Sequence, residues 1–274
     1  MQEFSVTAPA PDAGAAPDAG AAPDAGAAAR DWDGATYDRV ADPMTRWGGS
    51  VLARLPLRGD ETVLDAGCGS GRVTAQLLER LPGGRVIALD GSPSMIATAR
   101  ARLAPHGDRV SYVVADLGAP LPLAPASVDA VLSTATFHWV RDHDALFAGL
   151  AAVLRPGGRL VAQCGGEGNI ASVRRAIADL GWTWEGPWTF ASPVDTAVRL
   201  ARAGFTAIET WLNAEPTPLE AGAPLREYLA TVVLGAHTER LPDEERAAFV
   251  DAVAAALPEP AIDYVRLNIL ATRA

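Results

Sequence analysis

Apolar residues between positions 60 and 165 follow two alternating patterns: short continuous runs, and stretches in which they recur every three or four residues. The continuous runs predict buried strands, and the wider spacing predicts amphipathic helices packed on them. Strands are predicted at residues 63–64, 85–90, 110–115, 128–135 and 159–164. This alternation is typical of a parallel sheet that is covered by helices on both faces.

Three of the predicted helices have recognisable capping residues. Ser92 precedes Pro93, Asp142 precedes an apolar stretch, and Ser192 precedes Pro193. A serine or aspartate side chain can accept a hydrogen bond from a free N–H of the first turn, and proline is tolerated at the first helical position. We therefore expect helices to begin directly after these three residues.

The regular alternation ends after residue 165. The remaining pattern predicts a helix, a strand, a long helical stretch and a last strand, at 170–180, 207–212, 219–257 and 263–271. We therefore expect a doubly wound, mostly parallel seven-stranded α/β sheet. The expected α-helical cap over it is formed by residues of about 165–190 and 215–258.

Residues 1–30 differ from the rest of the chain in composition. The hexapeptide Pro-Asp-Ala-Gly-Ala-Ala occurs three times in succession between Pro11 and Ala28. Such a segment has no large apolar side chain to bury, so it predicts a disordered low-complexity tail, with a tether or spacer as the functional alternative. Residues 31–274 are then one domain.

Charge and composition exclude several classes of function. The net charge of −10 argues against a general nucleic-acid binder, which needs basic patches. All 23 cationic residues are arginine, so a Schiff-base lysine and a phosphate-loop lysine are excluded. The two cysteines suggest neither a disulfide framework nor a metal site. Without an apolar run of membrane-spanning length or a secretory signal, we expect a cytoplasmic protein.

One stretch predicts a ligand site, the turn Asp65-x-Gly67-x-Gly69-x-Gly71 after the first strand. Glycines let the backbone approach a ligand closely, and the helix behind them offers free N–H groups. A dinucleotide-binding fingerprint counted from Gly67 would require glycine at position 72, where this chain has Arg72.

Three carboxylates are predicted at one edge of the sheet, because Asp65, Asp90 and Asp116 each follow or end a strand. Singly, each could be a turn or capping residue. Together they suit a ligand with a cation, a ribose diol and an exocyclic amine, and they suit phosphates poorly. S-adenosylmethionine (SAM) has these three groups and no phosphate. Asp90 alone would also suit the ribose of NAD.

Three segments resemble motifs of the class I SAM-dependent methyltransferases: Leu64–Gly71, Ala88–Met95 and Leu154–Gly158. The resemblance covers about residues 60–165. A narrower similarity, to the trans-aconitate methyltransferase group of small-molecule enzymes, depends on the segments 32–38, 137–140 and 188–190, with 203–205 beyond them. This chain has Phe-His-Trp where that group is associated with Leu-Gln-Trp. The acceptor therefore stays open.

The resemblance implies two sets of site residues. The SAM-binding set is Tyr37, Arg46, Asp65, Gly67, Cys68, Gly69, Asp90, Gly91, Met95, Asp116, Leu117 and Thr134. Within it, Asp65 and the glycines would hold the methionine part, Asp90 the ribose hydroxyls and Asp116 the adenine amine. The acceptor-pocket set is Phe137, His138, Trp139, Trp182 and Trp188.

The resulting prediction is a SAM-dependent methyltransferase that acts on a small molecule, first of all on a carboxylate or hydroxyl oxygen. His138 is either a general base or a wall of the pocket. Arg174, Arg175 and Arg226 either bind an acidic acceptor or lie on solvated helix faces. An NAD(P)-dependent oxidoreductase and a non-catalytic SAM-binding protein remain as alternatives. No metal, nucleic acid or membrane is expected, and no oligomeric state is predicted.

Overall fold

The computed structural model describes residues 31–32 and 42–274, without the side chains of residues 42–45. The tail predicted for residues 1–30 and the predicted cofactor contact Tyr37 lie outside the described residues. The short N-terminal piece is anchored on the main domain. The Asp31 carboxylate accepts hydrogen bonds from the Ser92 hydroxyl at 2.5 Å and from the Ser94 N–H at 3.1 Å.

The described residues contain one large sheet and a two-stranded ribbon. In chain order the strands are β1 Thr62–Ala66, β2 Arg85–Asp90, β3 Val110–Val114, β4 Val128–Thr134, β5 Leu154–Gly165, β6 Phe205–Ala214, β7 Thr217–Pro218, β8 Ala261–Ile262 and β9 Val265–Arg273. Seven of them form the sheet in the order β3-β2-β1-β4-β5-β9-β6. Strands β1 to β5 pair in parallel, and β9 runs antiparallel to β5 and β6. The predicted seven-stranded, mostly parallel sheet is confirmed.

This strand order predicts where a ligand-binding crevice lies. The chain moves outward from β1 to β2 and β3, then returns to add β4 on the other side of β1. At such a reversal the loops beyond the carboxyl ends of β1 and β4 separate and leave a crevice, which is where open α/β sheets bind ligands.

Helices cover the sheet and continue into the cap. They are α1 Asp42–Leu52, α2 Arg72–Glu79, α3 Pro93–Leu103, α4 His143–Val153, α5 Ala171–Asp179, α6 Pro193–Arg202, α7 Ala223–Tyr228, α8 Gly235–Thr238 and α9 Asp243–Ala256. The Ser92, Asp142 and Ser192 side chains accept hydrogen bonds from backbone N–H groups at the starts of α3, α4 and α6, which confirms the three predicted caps. None of the described helices is long and apolar enough to span a membrane.

Two predicted elements are wrong in their extent. Residues 219–257 are not wholly helical: α7 begins only at Ala223 and continues into a π-helical turn at Leu229–Val233, and residues 239–242, which end in Pro242, form a non-helical turn before α9. Proline lacks the N–H that a continuing helix needs, and apolar periodicity alone does not register that break. Strand β5 begins at Leu154 instead of residue 159, because Leu154 pairs with Val128 before an irregularity in the register.

Buried side chains form three hydrophobic clusters. Neighbouring residues of a strand enter different clusters on the two faces of the sheet, as Val63 and Leu64 of β1 do. The third cluster joins α5 to the helices α7 to α9 and includes Trp47 of α1 and Tyr264 near β9. We call residues 165–190 and 215–258 the cap. Its buried apolar side chains pack mainly on one another.

Candidate active site

The glycine turn after β1 has the conformation that its sequence requires. Gly67, Gly69 and Gly71 all have positive φ angles, of 83°, 53° and 82°. A Cβ at position 67 would lie 2.1 Å from the Thr136 hydroxyl oxygen, whereas a Cβ at Gly69 would meet no atom of the described residues within 4 Å. The turn is therefore packed behind Gly67, whereas no described residue fills the space in front of Gly69.

Asp90 connects the glycine turn to the next loop. One carboxylate oxygen accepts the Gly69 N–H and the other accepts the Ser92 N–H, both at 2.9 Å. Burial raises the pKa of Asp90 above its ordinary value, and these backbone hydrogen bonds act in the opposite direction. Gly91, between the two loops, is half-buried. Asp90 thus fixes the shape of the turn as well as presenting a carboxylate there.

Asp65 lies behind the glycine turn, near the end of β1, where its place was predicted. Its side chain is buried beside α2, and one carboxylate oxygen accepts the Thr74 hydroxyl at 2.6 Å. Burial raises the pKa of Asp65 to about 7. Its other oxygen, Oδ1, has no hydrogen-bond partner among the described residues, and direct contact of Asp65 with the cofactor stays a prediction. Asp65 supports the turn from behind.

The other predicted cofactor residues lie around the same sheet edge. Asp116 follows β3 and accepts the Gly118 N–H at 2.8 Å, and Leu117 beside it is buried. Met95 is buried in the first turn of α3. At the end of β4 the Thr134 carbonyl accepts the Thr136 hydroxyl at 2.9 Å. These residues follow neighbouring strands, so the structure brings them to one end of the sheet.

Two further members of the predicted cofactor set are Cys68 and Arg46, of which one is buried and the other exposed. Cys68 is buried, and burial with the nearby carboxylates of Asp65 and Asp90 raises the pKa of its thiol well above the ordinary value. It is a neutral packing residue of the turn. Arg46 is exposed on α1.

A cavity lies between the carboxyl end of the sheet and the cap. Its empty volume is about 490 Å³, which includes open solvent at its mouth. We call it the acceptor cleft, after the role that we propose for it below. Its wall comes from separate segments of the chain: Trp32, Ala135, His138, Trp139, Asn169, Ile170, Trp188, Phe190, Val232, Val233, Tyr264 and Arg266.

The predicted pocket residues divide between this cleft and the interior. His138, Trp139 and Trp188 line the cleft. Phe137 does not, because it is 1% exposed and packs edge-on against Phe147. Trp182 does not line it either. Its ring packs inside the cap, 4.9 Å from Phe249 and 5.7 Å from His237.

His138 has the geometry of a hydrogen-bond donor. Its Nδ1 accepts the Gly165 N–H at 3.3 Å, so the neutral ring carries its proton on Nε2. Burial, followed by the charge of Arg266 and by His143, lowers the pKa of His138 well below 6.5. A ring in this state takes up a proton poorly at neutral pH, which argues against the general-base hypothesis.

Sequence analysis missed Arg266, the only residue with a formal charge at neutral pH among the described residues of the cleft wall. It is 2% exposed, and its guanidinium lies 4.7 Å from the centre of the Trp47 ring. The available signal was a charge inside an alternating strand, two positions before the buried Asn268. Of the arginines considered instead, Arg174 pairs with Glu185 and Arg226 with Asp251; neither lines the cleft.

Comparison with known proteins decides the family. Residues 63–158 match the family model described as "Methyltransferase domain". A trans-aconitate 2-methyltransferase of Paracidovorax citrulli is 32% identical over 81% of this chain and 87% of its own length. An enzyme of the same name from Methylobacterium radiotolerans is 32% identical over 83% of this chain and 89% of its own length. The chain belongs to the class I SAM-dependent methyltransferases. It is a methyltransferase of the small-molecule type, and SAM is its cofactor.

Solved structures agree with the fold. A Haemonchus contortus phosphoethanolamine N-methyltransferase with S-adenosylhomocysteine superposes with a TM-score of 0.60 at 20% identity, covering 88% of this chain and 56% of that one. A geranyl diphosphate methyltransferase with sinefungin superposes with a TM-score of 0.54 at 21% sequence identity, covering 84% of this chain and 78% of that one.

Proposed function

We propose that this methyltransferase transfers the methyl group of SAM to a carboxylate oxygen of a small-molecule acid. The observation that carries the proposal is Arg266, a buried guanidinium in the wall of the acceptor cleft. Guanidinium groups bind carboxylates through two parallel hydrogen bonds, and an arginine stays charged even when buried. The related enzymes from P. citrulli and M. radiotolerans are named for trans-aconitate, which is a carboxylic acid.

The cofactor would be held at the carboxyl ends of β1 to β3. Asp90 would accept the ribose hydroxyls, Asp116 the adenine amine, and the N–H groups near Gly69 would meet the methionine part. Met95 and Leu117 would pack against the adenine. Bound SAM supplies an electrophilic methyl group on a positively charged sulfur.

The chain's own residues need only to orient the acceptor. A carboxylate is ionised at neutral pH and needs no general base. Arg266 would hold the acceptor's carboxylate, and the Nε2–H of His138 would donate a hydrogen bond to it. One oxygen then stays free to form the new C–O bond while the methyl–sulfur bond breaks and its electron pair stays on sulfur. Holding the reacting atoms in line contributes most of the rate in such a transfer.

Arg266→Met tests the proposal. The change removes the charge and keeps a long apolar side chain, and we expect kcat/KM for carboxylic acids to fall on the order of 100-fold. The affinity for SAM should stay within about threefold, since Arg266 does not lie at the glycine turn. The reaction type is measured with methyl-labelled SAM and a panel of small acids that includes trans-aconitate. Methyl esters release labelled methanol in mild alkali, whereas methyl ethers and methylamines do not.

Arg54→Met is the matched control. Arg54 also reaches β9, where it donates a hydrogen bond to Asn268 at 2.5 Å, but it does not line the cleft. This variant should keep the wild-type kcat/KM for acids within a few fold. Label that appears only in alkali-stable products, or SAM binding without turnover on any acid, would contradict the proposed function.

A further inference from the structure

We propose that the side-chain amide of Asn169 is a further binding group for the acceptor, which donates a hydrogen bond to the carboxylate beside the Nε2–H of His138. The inference rests on the proposed function and adds a binding residue to it. Both donors are neutral, so their role does not depend on the charge of Arg266. Two kinds of observation carry it: the hydrogen bonds that orient the two side chains, and their place in the wall of the acceptor cleft.

A backbone hydrogen bond determines which way the Asn169 amide points. Its Oδ1 accepts the N–H of Val265, the first residue of β9, at 2.8 Å. A backbone N–H can only donate, so the amide oxygen must take this position, and the Nδ2 group with its two hydrogens points away from Val265. Asn169 therefore offers only donors to its remaining surroundings.

The Nδ2 group of Asn169 is open to the cleft. Asn169 is 3% exposed and lines the cavity. Among the described residues none accepts a hydrogen bond from Nδ2, yet Nδ2 is not one of the unpartnered side-chain atoms that are sealed from solvent there. Buried polar groups in folded proteins are nearly always hydrogen-bonded. An oxygen of a bound acceptor would supply the partner that this donor lacks.

His138 is oriented in the same manner. Its Nδ1 accepts the Gly165 N–H at 3.3 Å, which leaves Nε2–H as the donor of the neutral ring. Gly165 ends β5, which pairs with β9, the strand that begins at Val265. Both side chains therefore use their acceptor atom on the backbone of the same pair of strands and keep a donor for the cleft.

Gly165 brings the two donors close to each other. Its N–H is bonded to His138, and a Cβ at Gly165 would lie only 2.8 Å from the Nδ2 of Asn169. The two side chains thus contact the same glycine, and the absence of a Cβ leaves room for the amide. Two N–H donors in fixed positions can hold the oxygens of one carboxylate, as pairs of donors do in oxyanion holes.

The turn that carries Asn169 is held in a strained conformation. Ile170 has a left-handed backbone, with φ of 50° and ψ of 38°, which is unfavourable for a β-branched residue. The Asp263 carbonyl accepts the Ile170 N–H at 3.1 Å, and the Asp263 carboxylate accepts the Ser172 N–H and hydroxyl at 2.8 and 2.6 Å. Backbone strain of this kind is concentrated at functional sites. The turn is therefore shaped to present Asn169 at the cleft.

Asn169→Asp tests the inference, because it replaces the NH₂ group by an oxygen and keeps the acceptor for the Val265 N–H. When ionised, the introduced carboxylate repels the acceptor's carboxylate; when protonated, it is again a neutral donor. At pH 8 we expect kcat/KM for trans-aconitate and for trans-cinnamate to fall on the order of 100-fold. At pH 5.5 the loss relative to the wild type should shrink to less than about tenfold, since burial raises the pKa of a carboxyl group.

Gln76→Glu is the matched control. It makes the same exchange of an amide for a carboxylate on α2, and Gln76 does not line the cleft. Its kcat/KM should stay within about threefold of the wild type at both pH values. The SAM dissociation constant of both variants should also stay within about threefold, which shows that each is folded.

The outcomes separate the inference from the proposed function. If the wild type esterifies either acid and Asn169→Asp does so nearly as well at pH 8, the inference is wrong and the proposed function stands. A loss that is the same at both pH values, or one accompanied by a loss of SAM affinity, would mean a structural role for Asn169 and would also overturn the inference. If the wild type converts no acid to an ester, the proposed function fails, and the inference fails with it.

Discussion

At the carboxyl ends of β1 to β3 the proposed cofactor end of the site consists of backbone N–H groups and carboxylates, whereas the described wall of the acceptor cleft consists mainly of aromatic and aliphatic side chains, with one arginine. The cofactor end is assembled from contiguous segments, each a strand followed by its own loop. The acceptor end takes residues from places as far apart as Trp32, His138 and Arg266. The first end therefore depends on backbone geometry within each loop, and the second depends on side chains that meet only when distant segments pack together.

Substitution at the glycine turn gives the largest effect expected at the cofactor end. In Gly67→Ala the new Cβ would fall 2.1 to 2.6 Å from the Thr136 side chain, at a φ of 83°. We expect a loss of about 3 kcal/mol in the free energy of unfolding, from the clash and the left-handed backbone together. Urea denaturation without SAM measures it.

Gly69→Ala is the matched control for that substitution. Its φ of 53° is also left-handed, but its Cβ would meet no atom within 4 Å in the part of the chain that the structure describes. The stability should fall by only about 1 kcal/mol, while SAM affinity falls because the methyl group enters the open space in front of the turn. A Gly69→Ala variant as unstable as Gly67→Ala would show that the space is not open.

A smaller effect is expected in the cap, from the pH dependence of stability. His237 is fully buried among Trp182, Trp184, Trp188 and Phe249, and this burial lowers its pKa to about 4. The unfolded chain takes up the proton near pH 6.5 and the folded cap does so only near pH 4. Stability should therefore fall as the pH drops through this window, by on the order of 2 kcal/mol from His237.

His237→Phe isolates that contribution. It keeps an aromatic ring in the cluster and removes the proton, so unfolding measured between pH 7 and pH 4 should show a weaker loss than in the wild type. Asp65 titrates with the opposite sign. With a pKa raised to about 7, it stabilises the fold below its ordinary value of 3.8, and this stabilisation is lost as the pH rises toward 7. An unchanged pH profile in His237→Phe would mean that His237 is not the group responsible.

The two ends of the site also differ in how well the sequence predicts them. Local rules predict strand β2, the helix-capping role of Ser92 and the turn around Gly69. Apolar runs, helix capping and positive φ angles all depend on residues that are close in the chain. Asp65 shows the limit of those rules. Its position near the end of β1 could be predicted, but the burial of its carboxylate beside α2 could not.

At the acceptor end, local rules identify candidates but cannot choose among them. Phe137 and Trp139 are two positions apart, yet only Trp139 lines the cleft. Arg174 stands out in the sequence and is used in an ion pair, whereas Arg266 is inconspicuous inside an apolar strand. Which side chains meet there depends on how the cap packs over the sheet, through contacts between residues far apart in the chain.

The most direct test of the division between the two ends is calorimetric titration of SAM into the wild type, Asp90→Ala and Arg266→Met. Asp90→Ala removes the carboxylate that holds the Gly69 and Ser92 N–H groups, so SAM affinity should fall on the order of 100-fold. Arg266→Met should bind SAM within about threefold of the wild type. If both variants lose SAM affinity to the same extent, or if Asp90→Ala binds SAM normally, the assignment of cofactor and acceptor to separate ends of the site is wrong.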